Sequence, residues 1–251
     1  MNKEKHTVKR AIIMAAGIGN RMLPITAETP KPLVKVNGKR MIDSVIEALH
    51  KNGITDIHVV VGYLKNHFQK WKQEYPDVQI IENDLYSTSN NISSLYAARY
   101  LLDEDCMILD ADQIINNPEV LKREFNSSGY VASWCDHFTN EWLLQTEGNK
   151  ILSCSRNGGS EGWRLYSVSR WTKEDAQRLS HYIAKEFESG NRQIYWDDVP
   201  VFLHKSQFNL EISKVHEGDI EEIDSLQELL KKDSKFRAYL SERLGEERQD
   251  A

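Results

Sequence analysis

Ala15-Ala16-Gly17-Ile18-Gly19-Asn20-Arg21-Met22 follows directly on the short apolar run Arg10 to Met14, and Thr29-Pro30-Lys31-Pro32 comes soon after. A strand that ends in small residues and glycines leaves no Cβ in the way of its amides, so successive N–H groups can point at one anion. Arg21 and Lys31 add fixed positive charge beside that turn. Together they suggest a nucleoside triphosphate held by its phosphates. Taken alone, the pair Gly17 and Gly19 more often marks an ordinary turn. The spacings Gly-x4-Gly-Lys-Ser/Thr and Gly-x-Gly-x-x-Gly are both absent, which argues against a P-loop and against a dinucleotide fold.

Carboxylates supply the second set. Asp110-Ala111-Asp112 follows the apolar run Met107-Ile108-Leu109. Two acids at a strand end repel unless water or a cation lies between them, and Mg²⁺ favours hard oxygen ligands beside phosphates. As a bare pattern, Asp-x-Asp is a loop or helix cap at least as often as a metal site. Glu221-Glu222-Ile223-Asp224 lies far downstream, with Asp224 also reading as the N-cap of a helix from Ser225.

Polar residues after other strand-like runs suit a nucleobase edge. Gly62-Tyr63 and Ser89-Asn90-Asn91-Ile92-Ser93-Ser94 are such segments, although turn and cap roles explain them equally well. Thr139-Asn140-Glu141-Trp142 and Tyr195-Trp196-Asp197-Asp198 each set an aromatic beside a carboxylate. Ring faces attract a cation and the acid neutralises it, so this pairing suits an ammonium group. The plainer reading makes Trp142 and Trp196 core aromatics.

The elements that must position these residues alternate. Strands are expected at Arg10 to Met14, Ile57 to Val61, Gln79 to Glu82, Cys106 to Leu109 and Tyr130 to Trp134. Helices are expected between them, at Met41 to Asn52, Lys65 to Tyr75, Ile92 to Leu102 and Pro118 to Phe125, with Gly53 at a C-cap and Asn90 or Asn91 as an N-cap. This rhythm predicts an α/β fold with a doubly wound, mostly parallel sheet. Its ligands are expected beyond the carboxyl ends of the strands. Short antiparallel strands follow at Trp142 to Thr146, Lys150 to Ser155 and Leu165 to Ser169, with Asn157-Gly158-Gly159 as a turn. They read as a small acceptor-binding insertion. A helix from Thr172 to Glu188, a strand near Phe208 to Lys214 and a helical tail after Ser225 complete the chain.

The chain has 251 residues, 40% of them hydrophobic, and carries a net charge of −6. That length supports one sizeable core, here read as a single domain over residues 1–231, with about 135–215 serving the acceptor and 232–251 as a charged helical tail. Cys106, Cys135 and Cys154 are odd in number and widely spaced, which points to a reducing cytoplasm and away from a disulfide framework or zinc site. Lys and Arg are scattered, so nucleic acid is not an expected partner. No apolar run approaches the ~20 residues of a membrane span. Oligomeric state stays open, with a homo-oligomer allowed.

The string Ala15-Ala16-Gly17-x-Gly19-x-Arg21-Met22-x-Pro24-x-Thr26, with Pro30-Lys31-Pro32-Leu33, resembles the signature of nucleotidyltransferases that couple an NTP to a small phosphorylated acceptor. That family includes sugar-1-phosphate nucleotidylyltransferases and LicC-like phosphocholine cytidylyltransferases. The run Asn90-Asn91-x-x-Ser94-Leu95-Tyr96 is similar to the latter, which implies CTP as donor. The resemblance covers about residues 9–231 and implies a Rossmann-like nucleotidyltransferase fold. It also implies Mg²⁺ held by Asp112 and Asp224, with Arg21 and Lys31 on phosphate. The expected catalytic residues are then Lys31, Arg21 and Asp112. Nucleotide contacts fall to Ala15, Ala16, Gly17, Gly19, Tyr63, Asn90, Asn91, Ser94 and Asp110. Acceptor contacts fall to Glu141, Trp142, Arg156, Tyr195, Asp197, Asp198 and Glu222, several of which match the positions that build the family's choline pocket.

Two features depart from the family pattern. Asn20 stands where Ser or Thr is usual, and Ser155 to Arg164 is richer in glycine and arginine than a choline enzyme needs, so that it could bind the acceptor's phosphorus group instead. The expected acceptor is phosphocholine first, 2-aminoethylphosphonate a close second and phosphoethanolamine third. A sugar-1-phosphate nucleotidylyltransferase and a catalytically silent nucleotide-binding subunit are the rival expectations.

Overall fold

Strands buried on both faces read as unbroken aliphatic runs, and four of them form the parallel half of the central sheet. They are β1 (Arg10–Ala15), β2 (Asp56–Val61), β3 (Val78–Glu82) and β4 (Cys106–Asp110), side by side as β3-β2-β1-β4 in a computed structural model that describes residues 5–246. Alternate residues of one strand enter opposite cores. Ala11, Ile13 and Ala15 pack with α1 (Met41–Lys51) and α2 (Asn66–Lys72), whereas Ile12 and Met14 pack with α3 (Ile92–Ala98) and α4 (Lys173–Glu188). Helices therefore cover both faces, as the alternation of the sequence predicts.

The rest of the sheet is antiparallel except where Gly129–Ser133 pairs parallel with Glu211–Val215, so the sheet as a whole is mixed. It comprises β6 (Gly129–Cys135), β7 (Leu143–Glu147), β8 (Lys150–Ser155), β9 (Gly162–Trp171) and β10 (Glu211–Val215). The long β9 joins the halves, pairing with β4 through its second half and with β7 through its first. Because β6 pairs with both β9 and β10, the five strands close on themselves.

Two three-residue strands lie apart from this sheet, β5 (Gln113–Ile115) and β11 (Ile220–Glu222), and they pair antiparallel with Gln113 opposite Glu222. This small ladder places Asp112, just before β5, and Asp224, just after β11, at the same end. It is pinned to α1 by Ser44, whose hydroxyl accepts from the Ile115 amide at 3.1 Å and reaches the Met41 and Gln113 carbonyls at 2.8 and 3.2 Å.

Three local expectations change. The helix expected over Pro118 to Phe125 is a 3₁₀ turn at Pro118–Leu121 followed by a two-residue strand at Glu124–Phe125 that pairs with His6–Thr7. Its carbonyls are taken from outside: the buried Arg170 guanidinium donates to Val120 O at 2.6 Å and Lys122 O at 3.0 Å. Asn91 stands at the N-cap position of α3 without capping it, because its side-chain oxygen accepts from the Trp196 amide at 2.8 Å. Asp224 is likewise no cap. Ser225 caps α5 (Leu226–Lys232) in a capping box with Glu228, and the Asp224 amide donates to Glu228 Oε2 at 2.8 Å. The expected tail continues as α6 (Lys235–Glu246), and residues 247–251 lie outside the described residues.

Ser44→Ala strips the buried Ile115 amide of its partner, which costs about 1–3 kcal/mol. Urea unfolding is expected to show that loss, and a change within a few tenths of a kcal/mol would mean that α1 does not pin the β5 ladder.

Candidate active site

A cavity of about 800 Å³ opens beyond the carboxyl ends of the parallel strands, where Met14, Asn83 and Asp110 follow or end β1, β3 and β4. Every residue expected at the site lines it except Tyr63 and Asp198. The turn after β1 forms one wall. Gly19 adopts φ 72°, and a Cβ there would meet Thr26 Cγ2 at 3.0 Å and Lys31 Cβ at 3.2 Å. The Thr26 hydroxyl locks the turn by donating to Gly19 O at 2.9 Å. The glycine thus brings the turn against the segment that carries Lys31.

Lys31 is only 8% exposed, and its Nζ lies 2.6 Å from Asp112 Oδ2 and 2.6 Å from Asp224 Oδ1. Arg21 Nη2 approaches the same Asp224 oxygen at 3.2 Å from a largely exposed side chain. Burial by itself would lower the Lys31 ammonium, but Asp112 and Asp224 outweigh it and hold the group above its ordinary value. Burial likewise works to raise the Asp224 carboxyl, and Lys31 and Arg21 hold it below its ordinary value. Both shifts favour the charged forms of Lys31 and Asp224.

The opposite wall is built from amides and hydroxyls. Asn83, absent from the sequence expectations, donates to Ser93 Oγ at 2.9 Å and Ser94 Oγ at 3.1 Å and accepts from the Leu85 amide. Asn90 and Asn91 line the same wall. Tyr63 does not reach the cavity; Tyr86 does, packed on Tyr63 at 6.4 Å between ring centroids. Gly62 makes that possible, since a Cβ there would stand 2.8 Å from the Tyr86 ring. The only signal for Tyr86 in the sequence was the glycine whose open side it occupies.

The far end is acidic. Asp110, Asp197, Glu222 and Glu141 line it beside Trp142, Tyr195 and Arg156. Burial, with Asp112 and Asp197 nearby, pushes the Asp110 carboxyl well above its usual range. Burial pushes Asp197 up to about 7, with Asp198 adding to it. Glu222 is also raised by burial to about 7, against Arg164, which donates to its Oε2 at 2.8 Å, and Gln113, which donates to its Oε1 at 3.0 Å. Of the residues that line the cavity, Ser89 keeps its buried Oγ without a hydrogen-bond partner, and the buried Asp197 carboxyl has the Tyr130 hydroxyl beside it. Trp196 is a core residue, stacked near Tyr130 at 6.2 Å, as its plainer reading has it. Asp198 stands behind the wall, accepting from the Tyr195 amide at 3.0 Å and facing Arg156 Nη2 at 2.5 Å.

A glycine-walled turn with basic residues, a Lys-bridged acid pair and a group of buried acids thus share one cavity. The model of the nucleotidyl transferase family matches residues 10–130. The chain is 38% identical over 221 residues to the 2-aminoethylphosphonate cytidylyltransferase of Lancefieldella rimae, covering 87% of this chain and 89% of that protein. The chain belongs to the nucleotidyl transferase family. It is also 34% identical over 223 residues to the choline-phosphate cytidylyltransferase of Streptococcus pneumoniae, covering 88% and 96% of the two chains. The solved structure of the CTP:phosphocholine cytidylyltransferase from Streptococcus pneumoniae superposes with a TM-score of 0.82 at 33% identity, over 92% of this chain and 99% of that one. This chain is thus an enzyme, a nucleotidyltransferase whose full-length relatives are named cytidylyltransferases.

Nucleotidyltransferases commonly use a divalent metal, and the residues here fit one. Asp112 and Asp224 already converge on a single cation, the Lys31 ammonium, and both offer the hard oxygens that Mg²⁺ takes. Among the described residues no three His, Cys, Asp or Glu gather as a complete protein cage. That suits an ion that takes one or two carboxylates and completes its shell from phosphates and water. Among the described residues, no helix is long and apolar enough to cross a membrane.

The raised Asp197 carboxyl fixes a sign. The folded state binds its proton more tightly than the unfolded chain, so this group's contribution to stability is present at low pH and falls as pH rises toward about 7. Asp197→Asn cannot ionise. The ligand-free variant is expected to melt above the native protein at pH 8, with the gap narrowing as pH falls below about 7 toward the ordinary carboxyl range; a gap that does not change with pH contradicts the buried-acid account.

Proposed function

We propose that this chain is a Mg²⁺-dependent cytidylyltransferase that transfers CMP from CTP to a small zwitterionic phospho- or phosphono-amine, a class that includes phosphocholine, 2-aminoethylphosphonate and phosphoethanolamine. The observation that carries this reading is Lys31, 2.6 Å from both Asp112 and Asp224 at the mouth of the Gly17 to Gly19 turn. Charge-neutralising groups stand together where a triphosphate would lie. The acidic and aromatic far end suits a cationic acceptor. The relatives named for 2-aminoethylphosphonate and choline phosphate support both CTP as donor and an amine as acceptor. We place the enzyme in the cytoplasm, and we assign the domain to residues 1–231 with the antiparallel half serving the acceptor.

The acceptor's phosphoryl or phosphonyl oxygen is already anionic, so attack on the α-phosphorus needs no strong base. A bond forms between that oxygen and the α-phosphorus as the bond from the α-phosphorus to its bridging oxygen breaks, and pyrophosphate leaves with the electron pair. Catalysis is positioning and charge neutralisation. Amides of Gly17 to Gly19 and the Arg21 guanidinium hold the β- and γ-phosphates. Lys31 meets the charge that builds on the α-phosphate oxygens. Asp112 and Asp224 hold Mg²⁺, which supplies further neutralisation and orientation at the triphosphate when bound. Asn83, Asn90, Asn91, Ser94 and Tyr86 face the base and ribose. Glu141, Trp142, Tyr195, Asp197 and Glu222 face the acceptor, while Asp198 acts through Arg156.

Lys31→Ala is expected to lower kcat for pyrophosphate release from CTP by about 10²-fold or more, the cost of losing a donor aimed at transition-state charge. Activity within a few-fold of the native enzyme removes Lys31 from the mechanism.

A further inference from the structure

We infer that the acceptor carries a primary ammonium and that Arg156 excludes a quaternary one. This rests on the cytidylyltransferase reading of the cavity and narrows it. A quaternary ammonium has no N–H to donate and is held by ring faces with an acid behind them. The aromatic side of the cavity is Trp142 and Tyr195, edge to face at 5.9 Å between ring centroids, with Phe202 packed edge-on to Trp142 at 5.5 Å behind them. A cation already stands against these rings. The Arg156 guanidinium carbon lies 4.2 Å from the Phe202 ring centroid and 5.6 Å from that of Trp142. Asp198, buried behind the rings, faces Arg156 Nη2 at 2.5 Å and neutralises it.

What this leaves for a ligand is a different chemistry. With Asp198 matched to Arg156, the carboxyl of Asp197 remains, 7% exposed and lining the cavity, with the Tyr130 hydroxyl as its side-chain donor and no ion-pair partner among the described residues. Asp110 and Glu141 line the same end. An oxygen of this kind is satisfied by an N–H donor, and a primary ammonium offers three. A trimethylammonium offers none and would leave the desolvated Asp197 with no donor from the ligand. A site that must hydrogen-bond its ligand strongly rejects the analogue that lacks the donor.

The test uses matched acceptors that differ only in the head group. They are 2-aminoethylphosphonate against its N-trimethyl form, and phosphoethanolamine against phosphocholine, each with CTP and a pyrophosphate-release readout. The native enzyme is expected to prefer the primary amine in both pairs by on the order of 10²-fold in kcat/KM. Arg156→Ala is expected to narrow both ratios about tenfold by raising the trimethylated member, as the vacated aromatic rings accept it. Asp197→Asn is expected to raise KM for the primary amines and to leave the trimethylated ones without gain. Ratios near unity, or favouring the trimethylated acceptors, overturn the inference while leaving the cytidylyltransferase reading intact. A native preference for primary amines that Arg156→Ala does not move overturns the role of Arg156. Pyrophosphate release with none of the four acceptors overturns the cytidylyltransferase reading, and the inference falls with it.

Discussion

One buried ammonium between two carboxylates ties the molecule together. Lys31, Asp112 and Asp224 come from three segments, the last separated from the first by 193 positions, and their charges meet at 2.6 Å on a mostly buried Nζ. Taking such charges from water is costly, and the cost is offset only when partners and geometry are complete. Two acids that converge without a cation repel, and an ammonium buried without acids loses its charge. Each of the three segments therefore holds the others in place, and the arrangement that stabilises the ligand-free fold is also one that a metal and a triphosphate can use.

That geometry is secured by small elements more than by the large sheet. Register between β5 and β11 sets Gln113 opposite Glu222, which carries Asp112 and Asp224 to one end. Ser44 fixes β5 to α1, and the capping box of α5 receives the Asp224 amide on Glu228. Below them, Met22, Ile25, Val34 and Met41 pack with Ile223 and Leu229, so the phosphate turn, the Lys31 segment and the Asp224 segment share one apolar cluster. The position of each charged group is thus decided by apolar contacts that carry no charge themselves.

The parallel half of the fold was legible because two-sided burial writes itself as continuous aliphatic runs, as in Ile12-Ile13-Met14 and Met107-Ile108-Leu109. The glycine turn and the two distant acids stand out through the family signature, and the fold brings them to one cavity. Elements set by partners far along the chain were not. Three-residue strands such as β5 and β11 have no period to detect. The stretch from Pro118 to Phe125 has a helical composition, and only Arg170 explains why its carbonyls serve elsewhere. Tyr63 and Tyr86 each follow a strand, and the choice between them turns on the missing Cβ of Gly62. Arg156 sits in a glycine-rich hairpin whose sequence gives no hint of its target, Asp198, 42 positions on.

Charge balance along the cavity explains why it is so unequal at its two ends. The phosphate end concentrates Arg21, Lys31 and unobstructed amides, the usual complement to a polyanion. The far end concentrates Asp110, Asp197, Glu222 and Glu141, of which Glu222 is matched by Arg164 within the protein. Arg156 and Asp198 form a second internal pair that takes the aromatic side out of use. What remains is a small excess of buried acid with no cation of its own, a cost to the ligand-free fold that a protein keeps when the missing charge arrives with the substrate. With a triphosphate at the basic end, an acceptor that carries a cationic group would supply the charge the acidic end lacks. A neutral or purely anionic acceptor would leave the buried acids unpaired.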